Sequence, residues 1–595
     1  MRPLSRLAAL SVLLLNACYP PGDGKAPPLD ELYFPTGVAL DGVSQSDADP
    51  ALPGLKAPRY MYVANSDFDL QFRAASVISY DLDLLRKVVP RSCNTTADCA
   101  ADGANAICDA PGVAGTVPHP DRGPSYYCVD ASDPPPPHAR TPSEPCGAFG
   151  ERGDAEVVLT PGRCNWVEPM APQDGTDPLL VDKVGIGAFA TDVVWRKNPT
   201  MPPEPAPNDP TATLTSRLFI PVRGDSTLHW IEVTDQGKFS CGQENGDNDD
   251  GCDSLHRSGD VPSDNLDALR QPAEPFAIDT SPDADFVAIT NQTSGTVSLY
   301  ANDWRRDAGP KLASILPGLP LAPVGIAALP RSVLPDGSEQ EPGFLVSYRS
   351  AAQIDLLRVH ADDTYHNDKS GVDYTRYALR RAGSIPIYEN SLGFDSRGIA
   401  IDDPARAACE GAFAACVAVP GSNSEACKAE RTTCLSAVHE QSGVYVASRA
   451  PASLLVGAMT ADVNYPDGST WLPSFSASVP LTFGPSRVVM GDVKVLGKTK
   501  RDSAGGYDLE RRVFVICFDS RRIFVYDPKQ RVREAIVSTG RGPHALAVDG
   551  ERGLAYLGHF TDSYLGVISL DKRFPKTYAT IVASIGAPKA PRTSK

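Results

Sequence analysis

Positive charge is in short supply in this chain. Lys and Arg number 56 against 73 Asp and Glu, a formal net charge of −17 over 595 residues. Phosphate binding needs a basic surface, so nucleic acid is excluded as the main partner. Long apolar runs are missing as well. After the first residues nothing approaches the about 18 consecutive apolar residues of a membrane-crossing helix. Chemical signatures are also scarce. There is no Cys-x2-Cys pair of the zinc type, no Gly-x-Ser-x-Gly and no tight His/Cys cluster. His439-Glu440 lacks the second His of a metalloprotease motif. Gly491-DVKVL-Gly497-Lys-Thr is one residue too long for a phosphate loop, and Arg223-Gly-Asp225 matches an adhesion tripeptide in letters only.

What is present is a folded, exported chain. Hydrophobic residues make up 42%, which excludes disorder throughout. Pro 55 and Gly 49 point to many turns, and 14 cysteines are too many to leave idle in an oxidising compartment. Residues 1–17 read as a signal peptide, with Arg2 and Arg6 ahead of a short apolar run, Leu7 to Leu15. The run ends in Leu15-Asn16-Ala17-Cys18, which resembles the lipobox of bacterial lipoproteins. The resemblance implies lipidation of Cys18. With Tyr19 in place of an Asp retention signal, it also implies the outer membrane, on its periplasmic or its cell-surface side. Residues 18–33, Pro/Gly-rich and polar, form the lipidated tether, and lipid is the only membrane attachment expected.

A three-strand pattern recurs seven times. Phe34-Pro-Thr-Gly-Val-Ala-Leu40, Tyr60-Met-Tyr-Val-Ala-Asn65 and Ser76-Val-Ile-Ser-Tyr80 are short runs of β-branched and aromatic residues between turn residues. Phe189-Ala-Thr-Asp-Val-Val-Trp195 matches the first run without a gap. Further copies begin at Pro275, Pro323, Arg397, Pro485 and Pro543. A weaker fourth strand shows in Ala579-Thr-Ile-Val-Ala583. Four-stranded units repeated radially make a β-propeller, because one such sheet cannot cover its own faces. The runs resemble the YVTN-type propeller repeats of bacterial surface proteins. The expected fold is therefore all-β, a seven-bladed propeller over 34–587. Matching positions (Gly37, Asp192, Ala277, Gly325, Gly398, Arg487, Ala545) are 155, 85, 48, 73, 89 and 58 residues apart. Most blades therefore carry insertions beyond the about 40–50 residues of a bare blade.

The cysteines lie in those insertions. A Cys-rich insertion over 90–183 holds Cys93, Cys99, Cys108, Cys128, Cys146 and Cys164, with no pairing assigned, and reads as a disulfide-stapled module, a clamp ahead of a recognition element. An acidic insertion over 237–270 holds Cys241 and Cys252, an expected pair. Over 403–440, Cys-x6-Cys occurs twice on Ala-rich helical sequence. Antiparallel pairing would join Cys409 to Cys434 and Cys416 to Cys427, and the arrangement resembles a twin-cysteine helical hairpin. Cys517, left over in an apolar run, reads as a buried free thiol.

Two candidate sites follow. First strands start, and second strands end, on one face. Arg349, Arg397, Arg449, His544 and His559, with Asp192 and Arg487 just inside, are thus expected at the channel mouth, where arginines suit an anionic ligand. The competing reading of these positions is turn chemistry and hydrogen bonding between blades. In the acidic insertion Asn245, Asp247 and Asp249 nearly follow a calcium-loop pattern, so calcium is the one cofactor suggested. The expected function is a non-catalytic binding or scaffold lipoprotein whose partner is a protein, a glycan or an anionic small molecule. The alternative is an enzyme at the channel mouth, since similar propellers host lactonases and quinoprotein dehydrogenases.

Overall fold

A computed structural model describes residues 25–42, 57–89, 91–102, 106–109, 127–130, 166–170, 178–198, 204–205, 213–242, 251–305, 308–334, 337–367, 372–387, 394–417, 423–462, 470–502 and 504–586. Seven antiparallel sheets form a ring, each built on four strands in sequence order. Blade 1 contains Pro35–Leu40, Tyr60–Asn65, Ala75–Asp81 and Leu180–Ile186, and blade 7 contains Pro543–Asp549, Leu554–His559, Tyr564–Ser569 and Thr580–Ile585. The innermost strands of neighbouring blades touch all the way round, including the first and the seventh.

The core lies between blades rather than within them. Seven apolar clusters occupy the seven blade-to-blade contacts. One joins Val38, Met61 and Ile78 of blade 1 to Ala545, Tyr556 and Val567 of blade 7. Another joins Tyr62 and Val77 of blade 1 to Ile220 and Ile231 of blade 2. The β-branched and aromatic strand residues read from the repeat are the ones buried here.

The recurring glycine of the first run has a packing cause. A Cβ at Gly37 would lie 2.5 Å from the backbone nitrogen of Val193, and one at Gly398 would lie 2.6 Å from Cα of Arg487. At Gly325 it would lie 2.0 Å from the carbonyl oxygen of Arg397. In each case the neighbouring first strand passes where a side chain would be.

Among the described residues, no strand is exchanged between the two ends of the chain to close the ring. The first insertion helps instead. It leaves blade 1 after helix α1 (Leu82–Val88) and carries the disulfides Cys93–Cys108 and Cys99–Cys128. Its Trp166–Val167 pairs in parallel with Ser584 and Ile585 on the outer edge of blade 7. Asn94 Nδ2 donates to the Arg573 carbonyl at 3.0 Å, and Thr577 Oγ1 to Ser92 Oγ at 2.6 Å. The expected boundary at 183 falls inside the fourth strand of blade 1, which starts at Leu180, because the fourth strands vary in sequence and carry little repeat signal. Likewise Phe239–Ser240, inside the acidic insertion, pairs with blade 2.

Helices α2 (Pro404–Val417) and α3 (Ser424–Ser436) sit between the first two strands of blade 5. Cys409–Cys434 and Cys416–Cys427 join them, and Cys241–Cys252 pairs as expected. Arg331 and Arg431 bind the hairpin to blade 4 through Glu410 and Glu339. Cys517 is buried and unpaired, its thiol pushed up to about 11 by burial. Gly491–Gly497 lies within the strand Pro485–Asp502 rather than in a loop. Cys18, Cys146, Cys164, Asn245, Asp247 and Asp249 fall outside the described residues.

Candidate functional site at the channel mouth

Each blade has a residue of positive φ at the entry to its first strand: Phe34, Glu274, Ala322, Gly484 and Gly542 directly before it, Phe189 five residues ahead of Val194, and Asp395 second in Phe394–Asp402. Left-handed backbone is uncommon for residues with a side chain, yet five of these seven have one. The turn redirects the chain from the outer strand of one blade to the inner strand of the next. It also brings Phe34, Phe189, Glu274 and Asp395 to the mouth, a column the sequence reading did not single out. Its signal was present: in five copies the residue stands just before a proline, Pro35, Pro275, Pro323, Pro485 or Pro543.

The mouth opens into a cavity of about 400 Å³, within the range of small-molecule sites. Asp192, Arg397, Arg449, Arg487 and His544 line it, as expected. Arg349 and His559 do not. Strand register explains His559. His559 sits opposite Pro543, as Asn65 sits opposite Pro35 and Asn291 opposite Pro275. These three side chains are fully buried. Asn65 and Asn291 bond to Ser76 and Ser298, and His559 stacks on Tyr564 at 4.0 Å. His559 Nε2 accepts from the Gly540 amide, and burial lowers its pKa to about 3. It is a structural residue. Arg349 lies one residue past the matching Tyr348, the register position that Arg223 and Arg449 hold in their blades, and its Nε is 3.6 Å from Asp395.

The arginines are not free. Arg487 forms a two-pronged pair with Asp192 at 2.5 and 3.2 Å, spanning the channel from blade 6 to blade 2. Burial pushes the Asp192 carboxyl up, against the pull of Arg487. Arg223 pairs with Glu274 at 2.8 Å, Arg397 with Asp395 at 2.6 Å and Arg449 with Asp519 at 2.6 Å. On the side of blades 4 and 5, however, three guanidiniums (Arg349, Arg397, Arg449) meet two carboxylates, Asp395 and Asp519, among the described residues. Burial holds the Arg397 guanidinium below its ordinary pKa, and Arg449 and Arg349 act in the same direction against Asp395. One positive charge is left over there.

The opposite side is aromatic. Phe34, Phe68, Phe518 and Phe560, with His544, form a connected set of rings with centroids 5.1 to 6.4 Å apart, and Phe189 joins it edge-on to Phe68 at 6.0 Å. Phe68 is 52% exposed. His544 Nδ1 lies 3.0 Å from the Thr36 carbonyl, and burial, with Arg487 nearby, lowers its pKa to about 3. At neutral pH it is therefore an uncharged ring.

Asp67, under Phe68, has a consequence for stability. Its side chain is buried. Oδ1 accepts from the Phe72 amide at 3.2 Å, while Oδ2 has no partner, and burial pushes the carboxyl up to about 7. Below about pH 4 the carboxyl is protonated in folded and unfolded chains alike. As pH rises toward 7 the unfolded chain loses the proton and the folded one keeps it, so stability falls. Asp67→Asn, whose amide suits the positive φ, is expected to stabilise by about 1–2 kcal/mol near pH 8 and by almost nothing near pH 4. Thermal melts of both proteins across that range check this, and a pH-independent difference would refute it.

The cluster of Cys93, Cys99 and Cys128, close enough to hold a metal, is tied up in disulfides. No protein-family model matches the chain, and no curated protein is significantly similar to it. Solved structures do resemble it. A protein of unknown function from Desulfotomaculum acetoxidans is 12% identical, over 69% of this chain and 90% of that one, with a TM-score of 0.37. A candidate 6-phosphogluconolactonase from Bacteroides uniformis is 10% identical, over 86% and 98%, with a TM-score of 0.36. A dihydro-heme d1 dehydrogenase is 11% identical, over 71% and 61%, with a TM-score of 0.31. Likeness this distant bears on no function; the seven blades stand on their own strand pairing.

Proposed function

We propose that this chain is an exported, lipid-anchored binding protein of the outer membrane, and that its channel mouth takes a small anionic molecule with an aromatic or apolar body. The observation that carries the reading is the two-sided cavity, with phenylalanines on one side and the guanidiniums of Arg397 and Arg449 on the other. Binding rather than turnover is favoured because the acid–base groups that line the cavity are engaged. Asp192 is held by Arg487, and the ring of His544 is half-buried and neutral. Calcium at Asn245, Asp247 and Asp249 remains the one cofactor proposed, on the strength of the alternating acidic sequence.

Native mass spectrometry of the mature, oxidised protein, with and without chelator, tests retention of a ligand or calcium. The mouth is tested separately with 8-anilinonaphthalene-1-sulfonate, an aromatic sulfonate that fluoresces on leaving water. One equivalent is expected to bind, and Arg397→Gln with Arg449→Gln should weaken binding about ten- to a hundredfold. Equal binding by both proteins would remove the mouth from consideration.

A further inference from the structure

We propose that the face carrying the channel mouth is docked on the lipid bilayer, with exposed apolar loop residues seated in its interface. This rests on the reading of Cys18 as the lipidated residue. The first described residue, Lys25, bridges Phe72 in the loop between the second and third strands of blade 1, and its carbonyl accepts from the Arg73 amide at 3.1 Å. That loop is on the mouth face, since Phe68 within it lines the cavity. From Lys25 the segment runs inward, burying Leu29, Leu32 and Tyr33. The chain thus reaches the propeller on the mouth face and is held there. Six residues lie between Cys18 and Lys25, seven Cα–Cα steps that span at most about 25 Å when fully extended. This is too short to lead round a propeller to its far side, so the lipid lies over the mouth face.

The same face carries the side chains such a surface needs. Phe483 (67% exposed) and Leu321 (62%) lie on connections between blades, and Phe68 (52%) and Leu70 (45%) on the blade 1 loop. All four are on loops at the ends where first strands begin. They come from blades 1, 3/4 and 5/6, which spaces them around the ring rather than in one patch. Apolar and aromatic groups spread over the loops of one face, with arginines among them, suit a headgroup boundary better than a compact protein epitope. The opposite face has its own exposed residue, Leu496 (84%), on the hairpin of Pro485–Asp502 and Gly505–Cys517, which makes it the natural control.

The test uses the full-length lipidated protein in phosphatidylethanolamine–phosphatidylglycerol vesicles with brominated acyl chains. An environment-sensitive fluorophore is attached at Phe483→Cys, Leu321→Cys or Leu496→Cys; all three sites are exposed. Labels at 483 and 321 are expected to be quenched several-fold more than the label at 496. Equal quenching, or stronger quenching at 496, overturns the proposal. Mass spectrometry of the N-terminal peptide reports lipidation independently. If acyl chains are absent, the anchor reading fails. The mature chain held by an N-terminal oligohistidine on nickel-chelating vesicles then puts the same question to the same three labels, with the same criteria.

Discussion

Replacing Arg552 by leucine is expected to destabilise the protein by about 3–5 kcal/mol, read from urea unfolding. Arg552 is 3% exposed and pairs at 2.9 Å with Asp549, whose side chain is 0% exposed. Its guanidinium also donates to Pro58 O and to Asp83, tying blade 7 to the segment before the second strand of blade 1 and to α1. Leucine would fill the space but leave a buried carboxylate beside an opened seam. Burial already pushes the Asp549 carboxyl up against the pull of Arg552, and without that pull it rises further. A raised carboxyl loses stability as pH rises, so the deficit should be largest near pH 8 and shrink toward about pH 4. A deficit below about 1 kcal/mol at every pH would mean that the apolar cluster between blades 1 and 7 closes the ring unaided.

The second large effect is expected at Gly325. Alanine there would place its Cβ 2.0 Å from the Arg397 carbonyl and 2.3 Å from Ser347 Oγ. Neither first strand can withdraw, because each is held by its own blade and by its other neighbour. The cost is expected at the upper end of overpacking, about 3 kcal/mol, together with loss of probe binding at the mouth as Arg397 is displaced. Gly411→Ala, in helix α2 with nothing within 4 Å of its would-be Cβ, is the control. It should be neutral or stabilising by up to about 1 kcal/mol. If the two variants melt alike, packing between first strands does not explain the glycine of the repeat.

The two columns at the mouth show where the sequence was legible and where it was not. The glycine positions Gly37, Gly325 and Gly398 stood out as a repeat, and only their physical cause needed the ring. The left-handed column of Phe34, Phe189, Glu274 and Asp395 varies in residue type, so it left no pattern of letters. His559 and Arg349 were placed in one column from run ends alone. Strand pairing sets them one residue apart and so on opposite faces. The helical hairpin was fully legible, since Cys-x6-Cys on two helices leaves one antiparallel pairing, and that pairing forms.

Local chemistry alone therefore determined the first three strands of each blade, the blade count, the hairpin and its disulfides, because each depends on residues within one blade's length. The charge balance of the mouth and the closure of the ring were decided only by tertiary structure. Arg487 meets Asp192 across 295 residues of chain, and Arg552 meets Asp83 across 469. Whether a guanidinium is free or neutralised depends on such partners, and they meet only when the ring closes.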